Sequence, residues 1–246
     1  TYDLRGNRFC VIMAGNPYTE SGEQFQIPDM LANRADIYNL GDIIGDSAAA
    51  FKLSYLENAL TSNSILARLA GKSLKDVRTL IRVAETGQQD DMNLEANHSP
   101  EELNEYLSLL KKLLRARDVV LLVNQEYIKS AATADDYRTE PAFRLQGSYR
   151  DMNKLAEKIV PIMNEAELEI LLLSHYTNES QTLTSGAEAN LLKFKSLTNQ
   201  VTTEEAIRWE EIKKVFNKNK IFNNMDKDNP MAQVIGQLQQ FNDGIA

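Results

Sequence analysis

Apolar residues crowd into one short early run, Phe9-Cys10-Val11-Ile12-Met13, which Ala14 and Gly15 narrow toward Asn16-Pro17. Such a run predicts a buried strand over residues 8–15, and small residues at its end suit a tip that approaches a ligand or another backbone. Ile37, Tyr38 and Leu40 predict a second short strand over 36–40. After Gly45 the pattern turns helical and stays so. Ser73-Leu-Lys-Asp76 reads as a capping box for a helix that ends near Gly87. Ser99-Pro100-Glu101-Glu102 is a stronger one, with Pro at the first helical position. It opens a long amphipathic helix, apolar at 103, 106, 107, 110, 113, 114, 120, 121 and 123, that should run to about Ser130. Ser148-Tyr149-Arg150-Asp151 has the same shape, and further helices are expected at 148–160, 164–178, 186–197, 203–217 and 230–241. Between them, "GQQDDMNLEANH" and "TADDYRTEPAFRLQG" read as polar loops. No repeat of solenoid length is present. The fold class is therefore mainly α, with a short α/β remnant over residues 1–45 and a helical domain over 46–246.

Composition narrows this picture. The chain has 246 residues, 43% of them hydrophobic, enough to bury a sizeable core. A net charge of −8 and a pI near 5.0 oppose nucleic acid or an anionic membrane as partner without a local basic patch. DNA is thus a partner that the charge does not support, and no groove-reading motif is present. No apolar stretch approaches the roughly 18 residues of a membrane span. The one cysteine, Cys10, reads as a small buried hydrophobe and fits a reducing, cytoplasmic setting. The opening "TYDLRGNRF" reads like the middle of a longer chain, so a fragment is expected.

Most candidate chemistry dissolves on inspection. Gly71-Lys72-Ser73 imitates a phosphate-binding loop, but Leu66 stands where the first glycine is required and no strand precedes it. Gly71 is better read as the C-cap of one helix, with Ser73 capping the next. His98 and His175 are far apart, neither is assigned a partner at helical spacing, and both read as surface or packing residues, so no metal site is expected. The "DKDNP" segment at 226–230 lacks the glycine and closing glutamate of a calcium loop. Ser174 and His175 are helix neighbours that point apart, with no carboxylate arranged for a triad. Lys111, Lys112, Arg115 and Arg117, then Lys213, Lys214, Lys218 and Lys220, could form a phosphate-binding face or simply solvated helix faces.

Three residues remain. An Asn at a strand tip, Asn16, can orient a water against a terminal phosphate. An Arg after a short helix, Arg34, can reach a neighbour's nucleotide and neutralise the charge of phosphoryl transfer. Arg150, at a helix start, can touch the same phosphates from a lid. The plain alternatives are an ordinary turn at Asn16-Pro17 and a surface salt bridge at Arg34.

The ordered set Asn16, Pro17, Glu20, Gly22, Phe25, Ile27, Pro28, Asp29, Leu31 and Arg34 resembles the sensor 1 strand and arginine-finger segment of AAA+ ATPases, especially the MoxR-like and magnesium-chelatase-like group. Ala35 departs from that pattern, which usually carries an aromatic there. "QGSYRDMNKLAEKI" is similar to the sensor 2 helix of the lid, giving Arg150. Residues 8 to about 215 resemble the C-terminal part of large bacterial proteins labelled DNA-repair ATPases.

This resemblance implies a P-loop AAA+ core with strand order 5-1-4-3-2, in which residues 8–15 are strand 4 and 36–40 strand 5. Strand 1, the phosphate-binding loop and the magnesium acids would lie outside this chain, which alone should be inactive. ATP and Mg2+ would be cofactors of the full-length parent, and residues 1–45 are expected to need the missing N-terminal part of the protein. The further partners implied are neighbouring subunits of a homo-oligomeric ring, of six by resemblance, with Arg34 acting in trans. Gly41 and Gly45 bracket the core-to-lid connection, as a hinge or as plain terminators. The rival reading is a helical protein-interaction module without nucleotide chemistry.

Overall fold

The computed structural model describes residues 47–88 and 92–224. Over these it has eight α-helices: α1 (Ala48–Ala59), α2 (Ser64–Lys72), α3 (Leu74–Thr86), α4 (Pro100–Ala132), α5 (Tyr149–Lys158), α6 (Glu165–Gln181), α7 (Ala187–Leu197) and α8 (Thr203–Asn224). Two 3-10 turns, Leu60–Ser62 and Asp135–Tyr137, join them, and no strand occurs among the described residues. The mainly α class read from the sequence is thus what the structure shows. The strands expected at 8–15 and 36–40, and the helix expected at 230–241, lie outside the described residues.

Helix α4 organises the rest. Its start is fixed by the full Ser99–Glu102 capping box with Pro100 at the first position, as the sequence predicts. With 33 residues it is about 50 Å long, and it contacts α1, α2, α3, α5, α6 and α7. Leu109, Leu110, Leu113, Ala116, Val120 and Val123 are fully buried along it, more of its circumference than one amphipathic stripe. A smaller core at the other end joins α7 to α8 through Ala189, Leu192 and Trp209, with Ile212 packed against it.

The two connections read as loops carry no α-helix or strand among the described residues, but both are held by specific contacts. Between α4 and α5 the chain runs extended, burying Phe143, Leu145 and Gly147 while Arg144 and Gln146 are more exposed. This is the period-2 alternation of a strand, used here as a strap over a helix. Gly147 makes the closest approach: a Cβ there would lie 1.9 Å from the Val120 carbonyl oxygen and 2.6 Å from the Asn124 nitrogen. Tyr55 Oη, from α1, donates to the Gly147 carbonyl at 2.9 Å and pins the strap from the other side. The segment before α4 is likewise tied down, through Glu95, Ala96 and His98. Helix α8 also outruns its expected end at 217. Asn217 Nδ2 donates to the Thr139 carbonyl, and Lys220 Nζ to the carbonyls of Asp136 and Arg138, so strap contacts support that extra length.

Asn63 shows how the helices are locked to one another. Its Oδ1 accepts from the N–H groups of Ile65 and Leu66, capping α2, and its Nδ2 donates to the carbonyls of Ala156 and Ile159 at the end of α5. One buried side chain thus serves two helix ends. Asn63→Ala is expected to cost about 2 kcal/mol, the upper end for a lost cap. Asn63→Asp keeps the cap but faces a carboxylate toward two carbonyls, so it should recover little; urea midpoints of the two variants check this.

Candidate functional site

Of the residues singled out by the sequence, Asn16, Arg34, Gly41 and Gly45 lie outside the described residues, as does the 226–230 segment. Arg150 lies within them, in the first turn of α5, exposed and with no hydrogen bond or ion pair from its side chain among the described residues.

The turn that carries Arg150 is held from several directions. Ser148 and Asp151 form a full capping box, as expected from their spacing. Tyr149 stacks on Tyr55 of α1 with ring centroids 4.3 Å apart, and its hydroxyl is 2.7 Å from Ser54 Oγ. Asp151 turns inward: its Oδ2 accepts from the Ser148 N–H and hydroxyl at 2.9 and 2.5 Å, and its Oδ1 faces His175 Nε2 of α6 at 3.2 Å. Lys154 and Glu179 then pair across the same α5–α6 seam at 2.8 Å. Burial alone would raise the Asp151 carboxyl, but the hydrogen bonds from His175 and Ser148 outweigh it and hold it below the usual aspartate range. Burial, then the charges of Tyr149 and Asp151, push the Tyr55 hydroxyl up to about 12. Ser148, Asp151 and His175 do not make a nucleophilic site, because the hydroxyl donates to the carboxylate and not to the imidazole.

A second buried pair repeats the design. Asp76 in α3 accepts from the N–H groups of Glu95 and Ala96 at 2.7 and 3.0 Å and from His98 Nε2 at 2.9 Å. Ser73 caps the Asp76 N–H, yet Asp76 does not return the bond. The capping box read at Ser73–Asp76 is therefore only half formed, since the carboxylate is drawn away to three other donors. Both histidines of the chain thus have side chains buried against aspartates, so of the two readings, surface or packing, the structure shows packing. His175 also has Glu179 one helical turn onward. The sequence carried that signal, a His and a Glu four apart, and the reading of no partner at helical spacing missed it.

Burial would raise the Asp76 carboxyl, but its hydrogen bonds from Glu95, His98 and Ala96 hold it low. A carboxyl depressed in the folded state stabilises above its unfolded value, about 3.9, and that stabilisation is lost as pH falls through the lower folded value. Asp76→Asn should cost about 2 kcal/mol at neutral pH, because an amide would turn a donor toward a donor. Urea midpoints should also fall less steeply for this variant than for wild type between about pH 5 and pH 1.

Most of the remaining candidates are otherwise engaged. Gly71 lies inside the last turn of α2, whose C-cap is Ser73 rather than Gly71, and Lys72 pairs with Glu102. Arg115 pairs with Glu169, Lys112 donates to Ser108 and the Pro161 carbonyl, and Lys213 pairs with Glu210. Arg117 is buried against Glu85 and Asp118, neither a phosphate-binding nor a solvated residue. A cleft of about 520 Å³ between the strap and α8 is lined by Arg138, Arg144, Ser185, Asn190, Phe216 and Lys220. No helix among the described residues is long and apolar enough to cross a membrane.

Compared with family models, with curated proteins and with solved structures, the chain gives no match in any of the three.

Proposed function

We propose that this chain is the C-terminal part of an AAA+ ATPase, in which residues 47–224 belong to the helical lid and Arg150 reaches the nucleotide phosphates. The observation that carries this reading is the setting of Arg150. A cation in the first turn opposes the helix dipole, costing tenths of a kcal/mol; the Asp151 carboxylate of the same turn is engaged by Ser148 and His175, and the Arg150 guanidinium has no carboxylate partner of its own among the described residues. The turn beneath it is clamped by Tyr55, Asp151 and His175. An arginine exposed on a fixed turn is ready for an anion, and the N–H groups of the same turn that the capping box leaves free favour a phosphate.

Asn16 would orient the lytic water and Arg34 would act on a neighbouring subunit's ATP, with Mg2+ and the phosphate-binding loop supplied by the parent protein. ATP turnover would remodel a macromolecule, with DNA repair as the role that the resemblance suggests. In the cytoplasm such a ring would couple lid position to nucleotide state.

The test is ATP turnover by the parent protein carrying Arg150→Ala. Losing one charge-assisted contact should lower turnover by roughly ten- to a hundredfold, with Arg150→Lys recovering part of it. Unchanged turnover would sink this assignment and favour the helical interaction module.

A further inference from the structure

The geometry points to a divalent transition-metal site of the zinc class, formed by Asp151, His175 and Glu179. It is independent of the ATPase reading. One ligating atom from each residue lies within 4.8 Å of the other two, and no other such group of three is found among the described residues. His175 Nε2 and Asp151 Oδ1 are 3.2 Å apart, near the roughly 3.3 Å edge of a tetrahedron whose ligands lie about 2.0–2.1 Å from zinc. His175 and Glu179 sit one turn apart on α6, so both reach toward α5, where Asp151 projects from the facing helix.

The surroundings fit a metal as well as the ligands do. Ser148 fixes the far oxygen of Asp151 by two hydrogen bonds, the kind of outer support that orients metal-binding carboxylates. Tyr176, the next residue after His175, is fully buried, and its hydroxyl has no hydrogen-bond partner among the described residues. Three protein ligands leave one position for water.

One imidazole with two carboxylates suits zinc or cobalt better than calcium or magnesium, which prefer oxygen alone. Two carboxylates also neutralise the charge of a divalent ion. On binding, His175 would carry its proton on Nδ1 and give the Nε2 lone pair to the metal, replacing its bond to Asp151. Glu179, now paired with Lys154, would exchange that ammonium for the ion. The Asp76–His98 pair supplies an internal control, since no third ligand lies beside it among the described residues.

The full chain is titrated with Zn2+ by calorimetry and with Co2+ by its visible ligand-field absorption. One ion per chain is expected. Glu179→Gln alters a half-exposed residue and leaves the fold intact by circular dichroism; it should weaken binding at least roughly 10–100-fold. His175→Gln should abolish the Co2+ band, whereas His98→Gln should leave it unchanged. Zn2+ should raise the unfolding temperature of wild type but not of Glu179→Gln. Absence of one-to-one binding, or equal affinity in wild type and folded Glu179→Gln, would overturn the site. So would loss of the Co2+ band in folded His98→Gln.

Discussion

Gly147→Ala should unfold the strap from α4 and remove about 4 kcal/mol or more, the range reserved for changes the native structure cannot absorb. The added methyl would meet the Val120 carbonyl at 1.9 Å, and its next neighbours are the Asn124 nitrogen and Cβ at 2.6 and 2.9 Å. Two of these three atoms are backbone in the middle of a buried helix, so no side chain can rotate away to make room. The strap must lift instead. Lifting it breaks the Tyr55 hydrogen bond to the Gly147 carbonyl and draws Phe143 and Leu145, each nearly fully buried, toward water. It also moves Ser148, the cap of α5, and with it the turn that carries Arg150. The urea midpoint should drop sharply. Gly87→Ala makes a useful contrast: its φ is +72°, but nothing lies within 4 Å of its added methyl. The strain there is local, about 1 kcal/mol. Similar losses in the two variants would show that crowding against α4 is not what holds the strap.

Comparison of these two glycines shows what a sequence does and does not reveal. Gly87 was legible, because a glycine after the last periodic residue of a helix is a local signal, and it does cap α3 in the left-handed conformation. Gly147 was not, because its constraint comes from Val120 and Asn124 on another element. The same division runs through the histidines. His98 and His175 find Asp76 and Asp151 across 22 and 24 residues of sequence, a separation that no periodicity encodes. His175 and Glu179, by contrast, were a readable pair. Local chemistry also placed the starts of α4 and α5 and set Arg150 in a first turn, so part of the candidate site was legible. The clamp beneath Arg150 was not, since Tyr55, Tyr149 and His175 meet only once three helices have packed.

Arg34→Ala should have the largest effect on activity, if the chain is part of a ring ATPase in which this arginine reaches across to a neighbour. An arginine finger stabilises charge that appears on the transferring phosphoryl group only in the transition state, so its loss should lower kcat by roughly a thousandfold or more while leaving ATP binding intact. Because Arg34 would act on the next subunit's nucleotide, mixing decides between the readings. Excess Arg34→Ala subunits added to wild-type parent protein should depress turnover well below simple dilution, since each variant subunit silences a neighbour that is itself intact. Arg150→Ala is the natural comparison, with a smaller loss that follows whichever subunit's nucleotide the lid touches. Full turnover in rings proven to contain Arg34→Ala subunits would make Arg34 a surface residue. The helical part would then be a docking module, and the fixed turn under Arg150 would need a different anionic partner.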